Sequence, residues 1–265
     1  MSATASKNSP IDPSRGSVGR DISRTEPEPG VVLDARRALF LSETATLVVA
    51  DLHLGYAWVQ RQRGALLPVA APQSTLDRLT QLLDVYQPRR LVILGDLVHR
   101  AVALPALESE LNSLAQRLPP SVEWTVCTGN HDQGLASLLG NRIRTPAPQL
   151  VAQWCTGRFR LHHGDRPGDS AGPLALSAED PVDVIGHEHP AVRLGDGVAT
   201  QAKVPCFLKA NDVWVLPAFS DWAAGCEIGR QPFLGPVARR AQFHTAFACL
   251  GPRVLKIPLQ SRCIH

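Results

Sequence analysis

LVVADLHLGY, residues 47–56, is the stretch that decides how this chain is read. A run of four to eight apolar, β-branched residues ending in a turn signal makes a buried strand. Here Leu47-Val48-Val49-Ala50 stops on Asp51-Leu52-His53, and the run breaks at Gly55. In an extended chain positions i and i+2 project to the same side, so Asp51 and His53 are expected to point one way together. Burying a carboxylate beside an imidazole needs compensation, because an ionised group is costly to desolvate unless it is paired or bound to a metal. An ion pair within Asp-x-His would supply that compensation, and so would a metal.

Four more strand ends behave the same way. LVILGDLVH (91–99) puts Asp96 after a buried run and a Gly, and WTVCTGNHDQG (124–134) puts Asn130, His131 and Asp132 after another. FRLHHGD (159–165) offers His162 and His163, and VDVIGHEHP (182–190) offers His187 and His189. Five of the nine histidines (53, 131, 163, 187 and 189) therefore sit at strand exits, which a random surface scatter would not produce. In α/β sheets the ends of neighbouring strands open on a common crevice, where residues far apart in sequence can meet. The donor set is two carboxylates, four imidazoles and one amide oxygen, with no sulfur. Such mixed N/O ligands suit divalent ions such as Mn, Fe or Zn, and the missing thiolate argues against a purely structural zinc. Seven ligands are more than one tetrahedral ion takes; two ions sharing a bridging carboxylate use them well.

Around these strand ends the pattern is α/β. VVLD (31–34) and ALFL (38–41) read as a hairpin leading into the strand before Asp51, and VWVL (213–216) as a further strand. QSTLDRLTQLLDVY places Leu79, Leu82, Leu83 and Tyr86 on one helical face, with Ser74 as N-cap and Pro88 beyond the end. PALESELNSLAQRL opens with Pro105 at the first helical position and repeats Leu107, Leu111, Leu114 and Leu118. Alternating strands and helices argue for an α/β protein. Residues 1–30, rich in Ser, Pro, Gly and charge, read as a disordered tail, and residues 31–265 as a single domain.

Composition narrows the class further. Hydrophobic residues at 44% and charged residues at 19% suit a globular chain and exclude a disordered or fibrous one. No apolar run approaches a membrane span, so no membrane partner is expected. The tail has no signal-peptide core, which points to the cytoplasm. The six cysteines form no C-x-x-C pair, so neither a thiolate zinc site nor a disulfide framework is indicated. A net charge of +3 is too small to assign a nucleic-acid partner by itself.

The ordered set DLH, GD, GNHD, HG and GHEH, from Asp51 to His189, resembles the signature of the calcineurin-like metallophosphoesterase superfamily. The resemblance implies a four-layer α-β-β-α sandwich of two mixed sheets with a dimetal site at the strand ends. It implies that Asp51, His53 and His189 hold one ion, that Asn130, His163 and His187 hold the other, and that Asp96 bridges them. His131 is then the general acid, oriented by Asp132. The ligand at His162-His163 is the one directly before Gly, His163. The implied cofactors are two divalent ions, Mn foremost, with Fe or Zn as alternatives.

The branch is narrower still. GDLVHRA and GNHD depart from the GDxVDRG and GNHE of protein Ser/Thr phosphatases, and lipid-A pyrophosphohydrolases carry Arg where His131 stands. GYAWVQRQRGALLP (55–68), KVPCFL (203–208) and VWVLPAFSDWAAG (213–225) look like the prokaryotic branch of repair nucleases and DNA-ligase-associated phosphoesterases. That likeness implies a phosphodiesterase acting on nucleic acid or nucleotide-type diesters, with functional association to a ligase or helicase. The 76 residues after His189 leave little room for the capping region of larger repair nucleases. A phosphomonoesterase or small-nucleotide hydrolase is the alternative, and a non-catalytic scaffold is disfavoured because the acid and all seven ligands are present. Arg61, Arg63, His99 and Arg100 are candidate substrate contacts. Phe219 and Trp222 either line the site mouth and stack on a base or, the commoner fate, pack in the core.

Overall fold

The computed structural model describes residues 23–67, 71–142, 147–168, 181–195, 201–223 and 225–259. Seven strands form the first sheet in chain order: β1 (Arg24–Glu28), β2 (Val31–Asp34), β3 (Ala38–Leu41), β4 (Thr46–Ala50), β5 (Arg90–Leu94), β6 (Glu123–Cys127) and β7 (Gln149–Val151). From β1 to β4 the neighbours are antiparallel, and from β4 to β7 they are parallel. Parallel neighbours need long crossovers. These carry α1 (Tyr56–Gln62) and α2 (Ala71–Tyr86) after β4, α3 (Pro105–Arg117) after β5, and α4 (Leu135–Arg142) after β6.

The second sheet is built from β8 (Gln153–Thr156), β9 (Phe159–His162), β10 (Val182–Ile185), β11 (Pro190–Gly195), β12 (Gln201–Lys209), β13 (Val213–Val215) and β14 (Cys226–Glu227). Its order is β14-β11-β12-β13-β10-β9-β8, and β15 (Thr245–Leu250) pairs with both β12 and β16 (Arg253–Pro258). Strands β9, β10 and β13 run parallel, so their C-terminal ends emerge on one side.

All five residues of β4 are buried, as expected for a strand covered on both faces. Leu47 and Val49 pack with Leu79 and Leu82 of α2 and Leu107 and Leu111 of α3. Val48 and Ala50, on the opposite face, pack with Phe207, Trp214 and Phe247 of the second sheet. The far face of that sheet buries Cys206, Leu208, Val213 and Val215 against Val237 and Ala238 of α5 (Pro236–Arg240). The layers are thus helix, sheet, sheet, helix, the α-β-β-α sandwich of two mixed sheets, with a fourth layer only five residues long in α5. No helix among the described residues is long and apolar enough to cross a membrane.

Two expectations are corrected. The tail expected over residues 1–30 ends earlier, because residues 24–28 form β1 on the edge of the first sheet; residues 1–22 lie outside the described residues. The polar RTEPE run carries no apolar alternation, and its pairing comes from β2 and from the Trp214 indole N–H, which donates to Glu28 Oε1 at 2.8 Å. Ser74 is not an N-cap either: α2 begins at Ala71, and the Ser74 hydroxyl donates to Asp221 Oδ2 at 3.2 Å.

Candidate metal centre

Every candidate ligand follows a strand whose C-terminal end faces the seam between the sheets. Asp51 follows β4, Asp96 follows β5, and Asn130 follows β6; His163 follows β9, while His187 and His189 follow β10. The seam is closed by main chain: Phe219 N–H donates to the Ala50 carbonyl at 2.7 Å and Ser220 N–H to the Asp51 carbonyl at 3.1 Å.

Five of these residues adopt left-handed backbone: Asp51 (φ 55°), His53 (47°), Asp96 (47°), His187 (65°) and His189 (45°). Left-handed geometry costs an L-residue roughly 1–2 kcal/mol, and such outliers persist where the surroundings over-determine them, commonly at functional sites. The extended-chain reading of Asp51-x-His53 is corrected accordingly. The two side chains do converge, but because the chain coils left-handed past Ala50, not because it stays a strand.

Ligand atoms of Asp51, His53 and His189 all lie within 4.8 Å of one another, and so do those of Asp51, Asp96 and His163. His53 Nε2 and His189 Nε2 are 3.4 Å apart, and His189 Nε2 is 3.4 Å from Asp51 Oδ1. On the other side His163 Nε2 meets Asn130 Oδ1 and His187 Nδ1, each at 3.1 Å. Asp96 reaches both groups, with Oδ2 3.8 Å from His53 Nε2 and Oδ1 3.5 Å from His163 Nε2. His163 Nδ1 donates to the Leu94 carbonyl at 3.0 Å, which turns Nε2 toward the cluster. His162 points elsewhere, its Nε2 3.4 Å from Asp183 Oδ1.

The electrostatics are those of a cluster built around cations. Asp51 and Asp96 are 0% and 2% exposed, and among the described residues neither meets a Lys or Arg. Burial pushes the Asp96 carboxyl up to about 6. Burial would raise Asp51 too, but the imidazoles of His189, His163 and His53 outweigh it and hold that carboxyl below its ordinary value. Burial drives His53 down to about 3 and His187 down to about 4. It also pulls on His163 and His189, yet carboxylates led by Asp51 raise both. Facing ring nitrogens 3.1–3.4 Å apart can share one proton at most, so this arrangement leaves lone pairs converging on common points. Converging imidazole nitrogens and carboxylate oxygens without sulfur fit two divalent ions.

Space around the ligands is held by glycines. A Cβ on Gly95, whose φ is +68°, would lie 2.3 Å from His163 Nδ1, and one on Gly129 would lie 2.4 Å from Asp96 Oδ1.

The expected part of Asp132 is corrected. Its carboxylate accepts from Gly129 N–H at 2.9 Å and Val98 N–H at 3.3 Å, so it ties the loop after β6 to the loop after β5. The His131 ring is held instead by the His99 carbonyl, 2.7 Å from Nδ1. A carbonyl only accepts, so Nδ1 carries the hydrogen and Nε2 faces the centre, 4.0 Å from Asp96 Oδ2. Glu188, between His187 and His189, went unread in the sequence. It is 1% exposed and accepts from Leu234 N–H (2.8 Å) and Gly235 N–H (2.6 Å), fastening the segment that walls the site. An acid between the two histidines of the GHEHP run is the available signal.

Two cavities meet at Asn130 and His131. One, of about 350 Å³, is lined by His53, Asp96, His187, His189, Cys226 and Gln231 among others. The other, of about 550 Å³, includes Arg63, His99 and Arg100. Arg100 thus lies where a substrate contact is expected, but Arg61 does not: its guanidinium donates to the Leu67 carbonyl at 3.1 Å and sits over the Trp58 ring. Phe219 is buried in the helix-side core. Trp222 is half-buried and stacks on Tyr56, with centroids 5.8 Å apart, and Tyr56 meets the His99 ring edge-on.

Comparison with known proteins agrees with this geometry. A family model described as calcineurin-like phosphoesterase matches residues 44–215, which include every candidate ligand. Among solved structures, the nuclease MPE of Pseudomonas putida is similar, with 25% identity and TM-score 0.62 over 89% of this chain and 99% of that one. YfcE, a phosphoesterase from E. coli, matches over 81% of this chain and 99% of its own at 18% identity, with a TM-score of 0.35. No curated protein matches the sequence.

Proposed function

The chain belongs to the calcineurin-like phosphoesterase family, and from that premise we propose that it is a dimetal-dependent phosphodiesterase acting on nucleic-acid or nucleotide-type diesters. The observation that carries the proposal is Asp96, a buried carboxylate with one oxygen toward His53 and the other toward His163, in position to serve two cations at once. We assign Asp51, His53 and His189 to one ion, Asn130, His163 and His187 to the other, and Asp96 to both. When bound, a pair of divalent ions supplies Lewis acidity toward the phosphate oxygens and makes water nucleophilic at neutral pH. Mn is the proposed metal, with Fe and Zn as the ions a test would compare.

His131 is the proposed general acid. Held at Nδ1 by the His99 carbonyl, it keeps Nε2 free to deliver a proton to the departing oxygen. Asp132 acts through the loop, fixing the main chain that carries Asn130 and His131. The likeness to a nuclease at 25% identity, together with the basic wall beside His131, supports a diester over a monoester substrate. A DNA-repair setting, with a ligase or helicase working on the same substrate, is the biological form of this proposal.

The test is hydrolysis of bis-p-nitrophenyl phosphate against p-nitrophenyl phosphate by metal-stripped protein refilled with Mn, beside His131→Ala. Preference for the diester, abolished by chelator, supports the proposal; preference for the monoester supports a phosphatase instead. His131→Ala is expected to keep both ions and lose about 10²–10⁴-fold in turnover. Loss of metal in that variant would contradict the assigned role.

A further inference from the structure

The larger cavity begins where the metal centre ends. Asn130 and His131 form its inner wall, and Val59, Arg63, His99, Arg100, Ala101 and Gln133 form the rest. Among the described residues no carboxylate lines it. Several arginines elsewhere are neutralised in place, Arg36 by Asp34, Arg78 by Asp221, Arg160 by Asp183 and Arg193 by Glu227, while Arg61, Arg239 and Arg240 donate to main-chain carbonyls. Arg63 and Arg100 are exposed, and among the described residues neither guanidinium has an acidic partner. Both lie close enough to the His99 ring to act on it electrostatically. Two uncompensated guanidiniums around one cavity, beside the ring that delivers the proton, make an anion site.

We propose that this cavity takes a second phosphate of the substrate, carried by the departing alcohol, with Arg63 and Arg100 as its contacts. The proposal rests on the phosphodiesterase reading and narrows it. In an in-line displacement the departing oxygen lies opposite the attacking water, on the side of the proton donor. Water adds to phosphorus, the P–O bond to the departing alcohol breaks with its electron pair, and the His131 proton neutralises that oxygen. The products are a phosphomonoester and an alcohol. Since His131 forms the wall shared by the metal centre and the cavity, the alcohol extends into the cavity. A nitrophenol offers an arginine only an uncharged nitro group, whereas a nucleotide carrying the next phosphate of a strand presents an anion that a guanidinium fork binds bidentately. The substrate class is therefore a diester within a nucleotide chain rather than an isolated diester.

The experiment uses the full chain loaded with Mn and compares three substrates: bis-p-nitrophenyl phosphate, dithymidine monophosphate with its single phosphate, and a thymidine tetranucleotide. It compares wild type with Arg63→Ala, Arg100→Ala and Arg63→Lys. In each alanine variant kcat/KM on the tetranucleotide is expected to fall about tenfold or more, chiefly through KM, and much further than on the two single-phosphate substrates. Lysine at position 63 restores part of the loss. The slope of log(kcat/KM) against log[salt] on the tetranucleotide becomes shallower by about 0.7 for each phosphate contact removed. Equal losses on all three substrates, or no loss on the tetranucleotide, overturn the inference and leave the phosphodiesterase reading standing. Failure of wild type to hydrolyse any of the three substrates with Mn overturns that reading, and this inference with it.

Discussion

Adding one methyl group at Gly129 tests how closely the candidate ligands are packed. The backbone there is not left-handed, so alanine is tolerated by the main chain and the whole effect comes from contact. The new Cβ would lie 2.4 Å from Asp96 Oδ1 and 2.8 Å from His163 Nε2. Ordinary contact starts at 3.4 Å, so the Asp96 oxygen must retreat by 3.4 − 2.4 = 1.0 Å. Misplacing a reacting group by about 1 Å costs on the order of 10²-fold in rate. Overpacking a dense site costs about 1–3 kcal/mol, and at roughly 2–4 °C per kcal/mol the melting temperature falls by roughly 2–12 °C. Turnover of bis-p-nitrophenyl phosphate with Mn, bound metal by mass spectrometry and a thermal melt read the three effects together. Gly140→Ala is the control: it lies on the exposed face of α4 with nothing within 4 Å of its Cβ. It should gain about 0.5–1 kcal/mol from reduced chain entropy. Wild-type turnover and full metal content in Gly129→Ala would refute the packing argument.

Other perturbations give equally definite outcomes. Stripping the metals should lower the melting temperature, because an ion at about 100 times its dissociation constant contributes roughly 2.7 kcal/mol; a melt unmoved by chelator would contradict a site in this cluster. Metal affinity should fall as pH drops from 8 to 6. His163 and His189, raised by Asp51 and its neighbours, take up protons that compete with the ions, whereas His53 and His187 stay neutral down to about 3 and 4. Each competing imidazole weakens binding by up to about tenfold per pH unit, and equal Mn affinity at both pH values would rule this out. Glu188→Ala leaves two main-chain donors without their acceptor and should cost about 1–3 kcal/mol; a thermal melt within experimental error of wild type would count against its fastening role.

What could be read from the sequence was what alternation and strand ends encode. LVVA and LVIL are buried on both faces, and that fact is written in every residue, so β4 and β5 with their terminal Asp51 and Asp96 stood out. The ordered histidines point to a common crevice at the strand ends; that two sheets meet there comes from the family resemblance, since no periodicity reveals sheet-on-sheet packing. What escaped was information carried by the main chain. The coil past Ala50 depends on φ values that Asp and His only rarely adopt, and Asp51-x-His53 spacing is equally compatible with a strand. The resemblance assigns the orienting role to Asp132, whereas the carbonyl that orients the ring belongs to His99, 32 residues away. The start of α2 at Ala71 and the edge strand β1 were missed for a related reason. Ser74 and RTEPE have local signals for a cap and a tail, and tertiary contacts to Asp221 and β2 override them.

The division of ligands between the two sheets bears on how the protein is made. On the proposed assignment one ion takes Asp51 and His53 from the first sheet and His189 from the second, and the other takes Asn130 from the first with His163 and His187 from the second. A chain emerging from the ribosome as far as β7 has completed the first sheet, yet it holds only part of the ligand set for each ion. Neither ion can be captured in full until β10 and the turn after it, through His189, have been synthesised and docked. Loading thus becomes a late event in biogenesis, and on that assignment an unfinished chain holds no complete site.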